Sequence, residues 1–230
     1  CFELSQGAYF LGLAHDDRLE PTYVERVVAV LDAEPSVVFC HSRTRIIDAS
    51  GAAAGLQEPH AFSDSNRADV RLRDAICDAQ NVVVGFGMMR SSVLRQTPLF
   101  KPYPSSDAFL QADLALRGRL CEIPEVLFNR RLHARTGHAI PMYERLVWSD
   151  PSRRASLYFP TWRRVGEYFA AIARAPLRGA ERLRCAGVVF AYCRERRIVP
   201  QLVRDLRMAA RQAVLRTALG RRLQRGRKSS

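Results

Sequence analysis

The chain is predicted to be an α/β fold, a sheet at least partly parallel followed by a basic α-helical extension. Three observations predict it. Short apolar runs of strand length alternate with helical periodicity up to about residue 133. From about residue 144 onward the periodicity is helical. The charge divides near the same place: residues 151–230 hold 20 Lys+Arg and 4 Asp+Glu, a balance of +16, whereas residues 1–150 hold 16 and 19, a balance of −3. The expected division is 1–143 for the sheet part and 144–230 for the basic helices.

Each element follows from local chemistry. Ala8–His15 is an apolar run that stops at Asp16-Asp17, the pattern of a strand buried on both faces and ending at a polar rim. Pro21 suits the first turn of a helix, Val24, Val27, Val28 and Leu31 follow at helical spacing, and Pro35 closes it. Val37–Cys40 is a second buried strand. Arg45-Ile46-Ile47 leads into Asp48-Ala49-Ser50-Gly51, a turn, and residues 52–68 read as a loop. A helix over Asp69–Ala79 and a strand at Val82–Val84 come next. Asp107–Arg117 is an amphipathic helix stopped by Gly118. Two short strands follow, Leu120–Ile123 and Val126–Leu132. Trp162–Ala173, Glu181–Arg197 and Leu202–Leu219 are the helices of the extension, and Gly226–Ser230 is a frayed end.

The 230 residues are 47% hydrophobic and 26% charged, which excludes a largely disordered or collagen-like chain. No run approaches 18 apolar residues, so no membrane-spanning helix is expected. Cys1–Gly7 lacks the basic start and apolar core of a signal peptide, and the chain opens on Cys1, so it reads as a fragment or a chain cut from a longer one. Its six cysteines show no C-x-x-C pair and no His at zinc spacing; they read as reduced, mostly buried thiols.

Three clusters carry candidate chemistry. His15-Asp16-Asp17 lies at the carboxyl end of an apolar strand, where open α/β sheets bind ligands. Adjacent carboxylates repel unless a cation or hydrogen bonds offset the charge. Mg²⁺ or Mn²⁺ would bridge them to a diphosphate; a solvated Asp-Asp turn is the plainer reading. Asp107 opens a helix after Ser105-Ser106, as an N-cap or as a general base taking a proton from an attacking hydroxyl. Arg130-Arg131-Leu132-His133 follows an apolar strand, as a polar sheet end or as a fork of cations for an anionic leaving group. Gly85-Phe86-Gly87 begins like a dinucleotide loop, but Arg90 replaces the third glycine and no acidic partner follows. His41, His60 and His138 have no ligand-like spacing.

Taken in order, the segments resemble the latter part of a GT-A-fold (Rossmann-like) family 2 glycosyltransferase over roughly residues 1–135. The resemblance rests on Gly7-Ala8-Tyr9-Phe10, Ala14-His15-Asp16-Asp17-Arg18-Leu19-Glu20-Pro21, Ile46-Ile47-Asp48-Ala49-Ser50-Gly51, Gly87-Met88-Met89-Arg90, Ser106-Asp107 and Gly118 through Ile123-Pro124-Glu125-Val126-Leu127-Phe128 to Arg131-Leu132-His133. It implies that Asp17 contacts the cation, Asp16 the cation and the ribose or sugar, and that Arg131 and His133 close near the diphosphate. It implies that Asp107 is the base of an inverting transfer from a nucleotide-diphosphate sugar to an acceptor hydroxyl. Two positions depart from the family's pattern: Ala14 stands where many members have the first aspartate, and Ser106 where many have a glutamate. The family's nucleotide-binding amino-terminal part has no counterpart in these residues, so the isolated chain is expected to bind nucleotide sugars weakly or not at all.

The arginine-rich helices suit an anionic membrane surface carrying a glycan or lipid-linked acceptor, which would make the protein cytoplasmic and peripheral to the membrane. They equally suit a helical extension packed on the sheet with a solvated basic outside. Competing functions are a non-catalytic basic module for nucleic acid, disfavoured because no nucleic-acid motif is present, and a catalytically dead transferase-like scaffold.

Overall fold

A computed structural model describes residues 2–57, 65–77, 85–133, 142–149 and 159–210. In chain order they form β1 (Tyr9–Leu11), β2 (Arg18–Leu19), α1 (Tyr23–Ala33), β3 (Val37–Ile47), β4 (Ala53–Leu56), α2 (Ala68–Cys77), β5 (Met88–Arg90), α3 (Ser91–Leu94), α4 (Ser106–Ala115), β6 (Arg119–Arg131), α5 (Met142–Ser149), α6 (Pro160–Arg174), α7 (Gly179–Glu195) and a further helix, α8, over 198–210. The expected mixed α/β class is correct at this level.

The six strands make one sheet in the order β1-β5-β3-β6-β2, with β4 also on β3. Among the described residues only β3 and β6 are parallel, paired from Val37↔Arg119 to Ile47↔Arg131; the other pairings are antiparallel. Two expected short strands are thus the single strand β6. Its interruption at Pro124 is a bulge: Ser42 pairs with Ile123 and Arg43 with Val126, leaving Pro124 and Glu125 without opposite partners. Proline has no N–H for a ladder, and a bulge spares it one.

Two layers of helix cover the sheet. Tyr23, Val27 and Leu31 of α1, at i, i+4 and i+8, pack with Cys40, Ile123 and Phe128 on one face. Val24, expected in that stripe, is 48% exposed because Tyr23 takes the inward position. On the other face Leu110 and Leu114 of α4 pack with Val38, Phe39 and Met89. Beyond α4 a third core joins Leu72 and Ile76 of α2 and Phe109 of α4 to Tyr168 of α6 and Val189 and Tyr192 of α7. Each such large side chain contributes about 1.5–3 kcal/mol by leaving water. The basic helices therefore share a core with helices of the sheet part.

That packing changes α4. Expected to be amphipathic, it is buried on nearly every side, and Asp113 within it is 0% exposed. Arg117 and Arg174 both pair with the Asp113 carboxylate, the latter at 2.7 Å. Gly118 follows without a positive φ. Its need is space: a Cβ there would lie 2.2 Å from Val38 Cγ1 and 2.7 Å from the Ser36 carbonyl oxygen.

Other expectations change in detail. β1 is a half-buried three-residue strand at the end of the sheet path, not a strand buried on both faces; among the described residues it pairs only with β5, and Leu13 beyond it is 48% exposed. The 52–68 loop contains β4, antiparallel to β3. Gly87 faces Phe39, whose ring a Cβ would meet at 2.3 Å, so close packing explains this glycine without a dinucleotide. The Val82–Val84 strand, Ala79, and residues 211–219 of the last helix lie outside the described residues. Among the described residues five cysteines are free thiols, Cys40 and Cys185 buried and the others partly so. No described helix is long and apolar enough to cross a membrane.

Candidate functional site

The parallel pair defines the site. β3 and β6 end together at Ile47 and Arg131, and Leu132 N–H donates to the Ile47 carbonyl at 2.9 Å. β1 runs in the same direction, being antiparallel to β5, which is antiparallel to β3. Its exit, residues 12–17, therefore reaches the same end of the sheet, where β2 pairs back onto β6 through Arg18↔Asn129. Buried Asn129 fixes that return, its Nδ2 donating to Glu20 Oε1 at 2.9 Å and to the Arg18 carbonyl at 3.3 Å. No periodicity or motif marks Asn129 in the sequence.

Four of the five candidate residues are joined directly. Arg131 N–H donates to Asp17 Oδ1 at 2.9 Å, Arg131 Nε donates to the Asp16 carbonyl at 2.9 Å, and His133 Nε2 lies 3.0 Å from Asp16 Oδ2. Arg131 Nη1 also donates to the carbonyls of Asp48 and Ala49 at 2.9 and 3.1 Å. The Asp48–Gly51 segment is thus a carbonyl platform for Arg131. Its shape is local: Asp48 Oδ1 accepts from Ser50 N–H at 2.8 Å, Ser50 Oγ–H at 2.6 Å and Ala52 N–H at 3.0 Å, and Gly51 has φ +92°. The Ser50 hydroxyl and the Ala52 N–H hold the Asp48 carboxyl below its ordinary range.

The neighbouring aspartates differ electrostatically. Burial pushes the Asp17 carboxyl up; the Arg131 N–H and the charges of Arg130 and Arg131 oppose it, Asp16 adds to it, and the net shift is upward. Burial also raises Asp16, but the His133 hydrogen bond leads the contributions that outweigh it and leave it lowered.

Asp107 makes no bond to these four among the described residues. It occupies the first turn of α4, and its Oδ1 accepts from Ala108 N–H at 2.9 Å. Ser105 before it has φ 66°, a left-handed conformation unusual for serine. What links Asp107 to the others is Arg130. Burial lowers the pKa of this guanidinium, and the charges of Asp17 and Asp107 both act against that. Arg130 stacks over the Phe86 ring, 4.9 Å from its centroid, and Phe86 in turn lies 5.2 Å from Phe128 with its carbonyl accepting from Tyr23 Oη–H at 2.6 Å. Arg130 stood in the basic cluster of the sequence; its partner Phe86 sat in the glycine-flanked segment that resembles a dinucleotide loop.

No known protein family matches this chain. No curated protein is matched by it either.

Proposed function

We propose that the end of the sheet beyond β3 and β6 transfers a sugar from a nucleotide-diphosphate donor to an acceptor hydroxyl with inversion, in the manner of a GT-A-like family 2 glycosyltransferase. The observation that carries this reading is the hydrogen-bonded cluster of Asp16, Asp17, Arg131 and His133 where β3 and β6 end, with Asp107 near enough for its charge to act on the adjoining Arg130. A transferase of this type needs that grouping: a carboxylate to take a proton and a separate charged cluster for the leaving diphosphate.

In this reading Asp107 accepts the proton of the acceptor hydroxyl as its oxygen forms a bond to the anomeric carbon. The bond from that carbon to the diphosphate breaks in line, and the departing oxygen keeps the electron pair. Arg130 faces the charge that develops there. Arg131 and His133 border the diphosphate and hold the Asp16–Asp17 turn against the end of β6. The adjacent Asp16 and Asp17 carboxylates are the hard oxygen donors that would hold a divalent cation such as Mg²⁺ or Mn²⁺, which would supply positive charge to the leaving group. Among the described residues no group of three or more His, Cys, Asp or Glu is placed to hold a metal ion.

The test is Asp107→Asn in the full-length protein, assayed for transfer across a panel of nucleotide sugars. The expected fall in turnover is about 10²-fold or more with the fold retained. Unchanged turnover removes Asp107 from the role of base.

A further inference from the structure

The helices after residue 159 bury one side and leave another bare. In α8, Ile198, Asp205 and Ala209 are buried, whereas Val199, Val203 and Leu206 are 65%, 41% and 49% exposed. These three stand at i, i+4 and i+7 and line one strip of the helix. Asp205, the one acidic residue of 198–210, is turned inward, where its Oδ2 accepts from Thr161 N–H at 2.7 Å. The outer surface of α8 therefore carries apolar side chains and arginines with no acidic side chain among them. Arg194, Arg197, Arg204 and Arg207 are exposed, and their side chains make no hydrogen bond or ion pair among the described residues. Trp162 of α6, 48% exposed, stands beside α8, its Nε1–H donating to the Leu202 carbonyl at 3.2 Å.

We propose that the Val199–Val203–Leu206 strip of α8 and its flanking arginines rest on the surface of an anionic lipid bilayer. The choice of partner follows from charge and apolarity together. A purely apolar partner leaves four exposed guanidinium groups without counter-ions, and residues 151–230 carry a balance of +16. A nucleic acid meets the charge but strands the three aliphatic side chains. A leaflet with anionic headgroups takes both, with the aliphatic strip at the acyl boundary and the arginines at the phosphates. This binding does not depend on the transfer chemistry. Where that reading also holds, geometry connects them: Arg163, next to Trp162, lies 4.5 Å from the Tyr103 ring centroid, and Tyr103 precedes Asp107 by four residues.

The test is co-sedimentation of the whole chain with phosphatidylcholine vesicles, with and without about 30 mol% phosphatidylglycerol, at low and high salt. Two variants at exposed positions, Val203→Glu with Leu206→Glu and Arg204→Gln with Arg207→Gln, are checked for retained helix by circular dichroism. Duplex DNA binding is measured beside them. Binding to the anionic vesicles alone, weakened by salt and reduced about tenfold or more in each double variant, is the expected result. Equal binding to neutral vesicles, no binding to either, or anionic binding that survives the two glutamates overturns the proposal. Tighter binding to DNA, lost with the arginines and untouched by the glutamates, overturns it in favour of a nucleic-acid surface.

Discussion

Arg131 grips both aspartates of the acidic turn, its backbone N–H donating to Asp17 Oδ1 and its Nε to the Asp16 carbonyl, each at 2.9 Å. Its Nη1 reaches the carbonyls of Asp48 and Ala49 as well. The side chain thus ties the end of β6 to two separate turns, using the rigid fork that lysine lacks. Arg131→Met removes the side-chain bonds and leaves the backbone bond to Asp17. Allowing for solvent at this partly exposed position, the expected loss is about 1–3 kcal/mol, read from the urea midpoint. A midpoint equal to the parent's would mean that water replaces all three carbonyl contacts.

Arg130 acts differently, through charge. It is one of the cations that hold down an Asp17 carboxyl already raised by burial. Arg130→Gln takes away that cation while keeping a polar side chain near Phe86. The Asp17 pKa should rise further in the variant, as followed by carboxyl-carbon NMR titration. A value that stays put would show that Arg130 and Asp17 do not interact in solution, which also weakens the proposed grouping with Asp107.

Glu167 of α6 offers a pH-dependent test of how the extension is attached. Its carboxylate accepts from Lys101 Nζ at 2.8 Å and from Tyr103 Oη–H at 2.5 Å. Burial raises its pKa, but these two hydrogen bonds and the charges of Lys101 and Arg174 outweigh that and hold it below its ordinary 4.5. A carboxylate with a depressed native pKa stabilises the fold above the unfolded value, and that stability is lost as pH falls through the native one. Glu167→Gln should therefore lower the Tm at neutral pH by the equivalent of about 1 kcal/mol after solvent screening. The gap from the parent should narrow as pH falls below the ordinary carboxylate range and close once Glu167 is protonated in the native state. A gap independent of pH would assign the effect to packing.

Gly118 tests the close approach of the α4–β6 turn to β3. Gly118→Ala pushes a methyl group onto Val38 Cγ1 and the Ser36 carbonyl, the second of which is backbone and yields poorly. Overpacking of this kind costs about 1–3 kcal/mol. Chemical denaturation should show it, and an unaltered midpoint would place the turn farther from β3.

Much of the fold was legible because its signals are local. Apolar runs marked β3 and the two parts of β6, helical spacing marked α1, α6 and α7, and the Asp48–Gly51 turn was readable from a side chain bonding its own backbone. Local signals mislead where distant residues decide. Pro124 read as a strand end because a sequence does not show that β3 supplies a register able to absorb a bulge. β1 reads as buried on both faces because apolarity reports a preference for burial, whereas the sheet order leaves the strand half-buried at one end of the path. α4 reads as amphipathic, and only the reach of Arg117 and Arg174 makes the burial of its charged Asp113 tolerable.

The candidate residues divide in the same way. The amino-acid order by itself determined which groups carry charge: an Asp16-Asp17 pair after an apolar run, an aspartate opening a helix, a basic cluster after a strand, and a basic C-terminal third. Only the tertiary structure decided which of two adjacent arginines does which task. Arg131 is spent on carbonyls, and Arg130 lies in the field of Asp17 and Asp107. It likewise decided which apolar residues of the extension are core and which stay bare, sending Tyr168 and Val189 inward and leaving Val199 and Phe190 outside. The physical reason is that charge and hydrophobicity belong to single side chains, whereas pairing, burial and electrostatic reach depend on distances between residues that the chain order does not contain.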